Sequence, residues 1–174
     1  MRSIRTLATA CALWLSLAAP AAAQQTIFVV RHAERADAGQ PAGAAPMVTP
    51  ATDPPLSAAG HERAARLAAM LRSANVRYIF STEFLRTRQT AAPLAQARHL
   101  EIIAVPSKEP EALLTQVRGV TGNVLIVGHS NTIPDLLARL GIKDEITIAD
   151  TEHDNLFVIV RPETGGPTLI RLRY

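Results

Sequence analysis

Residues 26–35 read TIFVVRHAER. The first half is a short, largely β-branched apolar run, the signature of a buried strand. The second half sets Arg31, His32, Glu34 and Arg35 just past that strand's carboxyl end. Outward from here the pattern repeats. Residues 76–80 (VRYIF), 102–105 (IIAV) and 124–127 (VLIV) read as further strands. Between them lie helical patterns over 57–72, 83–97 and 110–117, with another over 132–140. Ser57 is placed to cap the first of these, and Leu56 to staple it from outside. Leu67, Met70 and Leu71 recur at helical spacing as its buried face. Pro110 suits the first turn of the third helix, and Gly141 stops the fourth. Two final strands, 156–160 and 168–172, flank the Gly165-Gly166 turn as a hairpin. Strands alternating with helices predict an α/β fold of three layers. Its sheet is mostly parallel, covered by helices on both faces, with an antiparallel strand at one edge.

The chain has 174 residues, 48% of them hydrophobic and 19% charged. That suffices for one domain with a core and excludes a disordered chain. Residues 1–23 (MRSIRTLATACALWLSLAAPAAA) have the form of a signal peptide. Arg2 and Arg5 open it, an apolar run follows, and Ala21-Ala22-Ala23 closes it with small residues. The expectation is an exported protein, periplasmic or secreted, with residues 24–174 forming a single domain. Losing Arg2 and Arg5 lowers the net charge from +3 to +1, and losing Cys11 and Trp14 removes the only cysteine and tryptophan. Such a chain has no disulfide framework and no basic excess to hold nucleic acid. No metal-ligand spacing is apparent, so neither metal nor other cofactor is expected, and no stable membrane span is.

In an open α/β sheet, ligands bind beyond the carboxyl ends of the strands. The first strand delivers Arg31 and His32 there. The second runs into residues 81–90 (STEFLRTRQT), which carry Arg86 in the first turn of a helix. The fourth ends in Gly128-His129-Ser130-Asn131. Two histidines and two arginines thus converge from three separated segments. Helix starts near 83 and 132 add backbone N–H groups, a ready anion site. Each residue alone suits an ordinary surface role; the shared topological position singles them out.

These segments resemble the histidine phosphatase superfamily, whose fold is like that of phosphoglycerate mutase. VVRHAER is similar to the family's Arg-His-Gly strand end, with Ala33 in place of the commoner Gly. STEFLRTRQTA resembles its helix start, LIVGHSN its Gly-His motif, and PLSAAGHERAARLA its Pro-Leu-Ser/Thr segment. The resemblance implies that His32 is the nucleophile that becomes phosphorylated. It also implies that Arg31 and Arg86 hold phosphate, and that His129 is the pocket's second histidine. Arginine forks suit phosphoryl oxygens, and two guanidinium groups beside His32 should keep it neutral. In much of the family a Glu after the third strand protonates the leaving group. Glu109 and Glu111 are the candidates here, with Glu83 and Asp154 as outsiders.

The exported RHAER chain locally resembles lipopolysaccharide core heptose-phosphate phosphatases. The expected partner is therefore a small phosphorylated substrate or a phosphorylated glycan; the oligomeric state is left open. Residues 36–55 (ADAGQPAGAAPMVTPATDPP) form a long loop after His32, the natural lid or substrate clamp. Two other readings share the scaffold. One is a phosphate- or anionic-glycan-binding module without effective catalysis; the other is a phosphomutase, which would need a retained phosphoryl donor.

Overall fold

A computed structural model describes residues 24–37 and 53–174. The signal-peptide segment and most of the 36–55 loop lie outside the described residues. The elements run β1 (Gln25–Arg31), α1 (Ala58–Met70), β2 (Val76–Ser81), α2 (Leu85–Arg98), β3 (Ile102–Ala104), α3 (Pro110–Arg118), β4 (Asn123–Gly128), α4 (Ile133–Arg139), β5 (Asn155–Arg161) and β6 (Thr168–Arg173).

They build one six-stranded sheet in the order β3-β2-β4-β1-β5-β6. β1 and β4 pair in parallel at its centre, as do β4 with β2 and β2 with β3. β5 runs antiparallel to β1, and β6 antiparallel to β5. The α/β class and the antiparallel edge are as the sequence predicts. The reversed strand itself is β5, one place in from the edge, because the hairpin turns β6 back again.

Both faces of the central strands are buried, hence their unbroken apolar runs. On β1, Ile27 and Val29 pack under α3 and α4, beside Leu114, Val117, Ile133 and Leu137. Phe28 and Val30 face the other way, toward Leu67, Leu71, Ala91 and Leu94 of the α1–α2 layer. β4 divides likewise, with Val124 and Ile126 on one side and Leu125 and Val127 on the other. Each such side chain contributes about 1.5–3 kcal/mol by burial. On β2 the register shifts between Val76 and Tyr78. This bulge places Val76 with Ile79 in the α1–α2 layer, whereas Tyr78 and Phe80 pack in the other.

Ser57 caps α1 as expected, its hydroxyl accepting the Gly60 N–H at 3.1 Å. The buried stripe of α1 is Gly60, Ala64 and Leu67, continued by Leu71. Met70 is not part of it; it sits on the flank and is 47% exposed. Leu56 is buried, packed with Ala33 and Ala64. α2 starts at Leu85, later than predicted, because Phe84 before it is still extended.

Candidate active site

Register sets the geometry of the site. Arg31 on β1 is paired with Gly128 on β4, so His32 and His129 leave the sheet at the same level. The His32 N–H donates to the Gly128 carbonyl at 2.9 Å, and the two imidazole centroids stand 5.2 Å apart. The turn after His32 is fixed from α2: the Ala33 N–H donates to Thr90 Oγ1 at 2.9 Å, and that hydroxyl donates to the Arg86 carbonyl. Ala33 is fully buried against Leu56 and Ala64, so its methyl fills space that a glycine would leave empty.

Arg31, His32, Arg35, Arg86, His129 and His153 line one cavity, with Ser130, Asn131 and the exposed Asp150. The four predicted residues Arg31, His32, Arg86 and His129 are thus brought together. His32 is buried, and its Nδ1 lies 2.8 Å from the Ala33 carbonyl. A carbonyl only accepts, so Nδ1 carries the proton and Nε2 keeps its lone pair. Burial, more than any neighbour, pushes the His32 pKa down from 6.5 to about 3; His129, Arg86 and Arg31 add to the effect. The two arginines, expected to keep the ring neutral, rank behind burial and His129. His129 is pushed down to about 4, first by burial and then by Arg86.

Arg86 donates from Nη2 to His129 Nε2 at 3.0 Å. In this arrangement His129 accepts through Nε2, so that nitrogen can donate to an anion only after taking a proton. The Arg86 guanidinium also lies 4.3 Å from the Phe84 ring centroid and 3.5 Å from the Asp53 carboxylate. Arg31 donates to the Ala149 and Glu152 carbonyls at 2.8 and 3.2 Å, which aims it from the floor of the site toward the loop before β5. The Nε atoms of both arginines are buried without a protein partner among the described residues.

The helix starts offer less to an anion than expected. Asp53 takes the Leu85 N–H at the start of α2. The His129 carbonyl takes those of Thr132 and Ile133 at α4.

The candidate acids fall elsewhere. Glu111 lies on α3 and its carboxylate pairs with Arg139 of α4. Glu109 precedes α3 and borders a separate apolar recess with Val105, Pro106 and Leu113. Neither lines the histidine cavity, because the segment after β3 turns toward the α3–α4 layer. Glu83 is held by Ser107, accepting its N–H at 2.8 Å and its hydroxyl at 3.0 Å. Asp154 pairs with Arg173 at 2.5 Å.

The structure adds His153, which the sequence reading did not single out. It lies just ahead of β5, and its Nδ1 is 3.0 Å from the His32 carbonyl. Its ring centroid is 5.7 Å from that of His32. Because β5 runs backwards, its amino end lies where the parallel strands have their carboxyl ends. The polar run Thr151-Glu152-His153-Asp154 ahead of an antiparallel strand was the available signal.

Residues 27–107 match the family model of the histidine phosphatase superfamily, branch 1. Over that segment the chain is similar to enzymes of the histidine phosphatase class. No curated protein sequence matches the chain. Among solved structures, the chain is similar to one proposed to be the phosphohistidine phosphatase SixA of Agrobacterium tumefaciens. The two are 23% identical with a TM-score of 0.63, over 86% of this chain and 98% of that one. The alpha-ribazole phosphatase of Shigella flexneri is 16% identical with a TM-score of 0.67, over 86% and 96%. A protein histidine phosphatase SixA complexed with tungstate is 18% identical with a TM-score of 0.64, over 85% and 96%. These structures share the fold, a phosphoglycerate mutase-like three-layer arrangement.

Proposed function

We propose that the chain is an exported phosphohydrolase that cleaves phosphomonoesters or phosphoramidates through a phosphohistidine at His32. The observation that carries this reading is the His32 ring itself. Its Nδ1 proton is committed to Ala33, and its Nε2 is unprotonated in a cavity that also holds Arg31 and Arg86. Phosphoryl transfer asks mainly for position and for cations around the equatorial oxygens. Two guanidinium groups supply those cations at every working pH.

In the first step His32 Nε2 attacks phosphorus and the bond to the leaving group breaks. Water then attacks phosphorus, the P–N bond breaks, and inorganic phosphate leaves. Dividing the displacement in two lowers each barrier. Arg86 exchanges His129 for phosphoryl oxygens as substrate enters. His129, freed and beside an added negative charge, gains the proton it needs to donate in turn.

Export is supported by the signal-peptide form of residues 1–23, and a phosphorylated glycan is the substrate class favoured by the local RHAER resemblance. Among the described residues no helix is long and apolar enough to cross a membrane. The test is hydrolysis of p-nitrophenyl phosphate by residues 24–174 in the presence of a chelator, beside His32→Ala. The reading requires turnover that survives the chelator and disappears in the variant. Phosphate binding without turnover would favour a binding module instead.

A further inference from the structure

A leaving alkoxide needs a proton unless it is already a stable anion. The carboxylates that the sequence offers as donors are committed elsewhere. Glu111 is tied to Arg139 and Asp154 to Arg173. Glu109 borders another recess. Glu83 is bound twice by Ser107; partial burial opposes its charge, but these bonds hold its carboxyl below the usual range. Asp150 lines the cavity with its side chain 98% exposed to solvent, 3.8 Å from Arg31.

His153 differs from all of these. It is buried and it lines the cavity. Its Nδ1–H donates to the His32 carbonyl, which leaves Nε2 as the ring atom able to exchange a proton with the cavity. The same bond ties the ring to the residue that carries the nucleophile, and the two imidazoles stay 5.7 Å apart. Burial, before any neighbour, lowers its pKa below the ordinary histidine value, and Arg31 from β1 and Arg63 from α1 add to this, whereas the bond to the His32 carbonyl and Glu34 favour the cation. A bound phosphoryl dianion adds to the side of Glu34.

We propose that His153 is the proton donor to the leaving group, an assignment that rests on the hydrolase reading above. His153 enters the step as the imidazolium, its Nε2 protonated from solvent when the substrate dianion binds. As His32 Nε2 bonds to phosphorus, the P–O electron pair goes to the leaving oxygen, which takes that Nε2 proton. In the second step water attacks phosphorus and the P–N electron pair returns to His32. His153 Nε2 takes the proton that the water gives up. Ester and water become alcohol and phosphate, and both histidines are restored.

The test compares kcat/KM for two substrates in the wild type, His153→Asn and His153→Ala. One is p-nitrophenyl phosphate, whose leaving group needs little protonation; the other is glycerol phosphate, whose alkoxide needs it fully. Asn keeps a side-chain N–H for the His32 carbonyl but no exchangeable acid. The expected result is a loss of about 10²–10⁴-fold on glycerol phosphate with His153→Asn, and a change of roughly threefold or less on p-nitrophenyl phosphate. Equal losses on both substrates would overturn the proposal in favour of a structural or phosphate-holding role. Unchanged glycerol phosphate cleavage would overturn it too, as would a wild type that cleaves only the p-nitrophenyl ester. A wild type that cleaves neither ester removes the hydrolase reading, and the proposal with it.

Discussion

His32 turns Nδ1 to the carbonyl of its own neighbour Ala33, at 2.8 Å. The bond is local, and it decides which nitrogen is available for chemistry. Burial then holds the ring neutral far below the ordinary histidine range, at about 3. Histidine Cε1–H resonances, assigned with His32→Gln, should therefore show no titration of His32 between pH 8 and 5. A midpoint near 6.5 would contradict the account.

The same shifts bear on stability. His32 and His129 have folded pKa values of about 3 and about 4, both below the ordinary histidine value of 6.5. For a base whose folded pKa is depressed, the unfolded chain binds protons first as pH falls. The stability contributed by the neutral rings is present above pH 6.5 and is lost progressively from there toward pH 3. Melting temperature should drop across that window, and should drop less in a variant carrying Gln at both positions. Parallel curves for the two proteins would refute the assignment.

Arg86 links three parts of the site, touching His129, Asp53 and Phe84. Arg86→Ala should lower kcat/KM by about 10²–10³-fold, the loss typical of removing one positioned charge-stabilising donor. Its melting temperature should move little, since the residue's main-chain role toward Thr90 remains. Arg86→Lys should recover only part of the activity, because an ammonium lacks the planar fork.

Gly60 sits where the first turn of α1 meets the strand end. A Cβ there would lie 2.2 Å from the Glu34 carbonyl oxygen, too close for any side chain. Gly60→Ala should destabilise the protein by about 1–3 kcal/mol and displace the backbone two residues after His32, so activity falls with it. Gly166→Ala, with nothing within 4 Å of the added carbon, should stay within about 0.5 kcal/mol of wild type. Denaturant unfolding of the two variants side by side checks the contrast.

Much of this was legible in the sequence because β1 and β4 are buried on both faces and must be apolar throughout. Their ends are therefore sharp, and the polar residues Arg31, His32 and His129 stand out at them. Arg86 was legible from its place early in α2. The carboxylates were not. Whether Glu109 reaches the cavity depends on how the chain turns after β3, and no local pattern encodes that turn. Met70 and the late start of α2 show the same limit at helix flanks, where tertiary packing chooses the face. His153 was not legible because β5 runs the other way, which brings its amino end rather than its carboxyl end to the site.

Catalysis as proposed requires a covalent bond between phosphorus and His32. The measurement is mass spectrometry of residues 24–174 quenched in alkali within the first turnover of p-nitrophenyl phosphate. The expected result is a phosphoryl adduct on the peptide bearing His32, stable in base, lost in acid and absent from His32→Ala. Turnover with no adduct at any quench time, or an adduct that persists in His32→Ala, would contradict it.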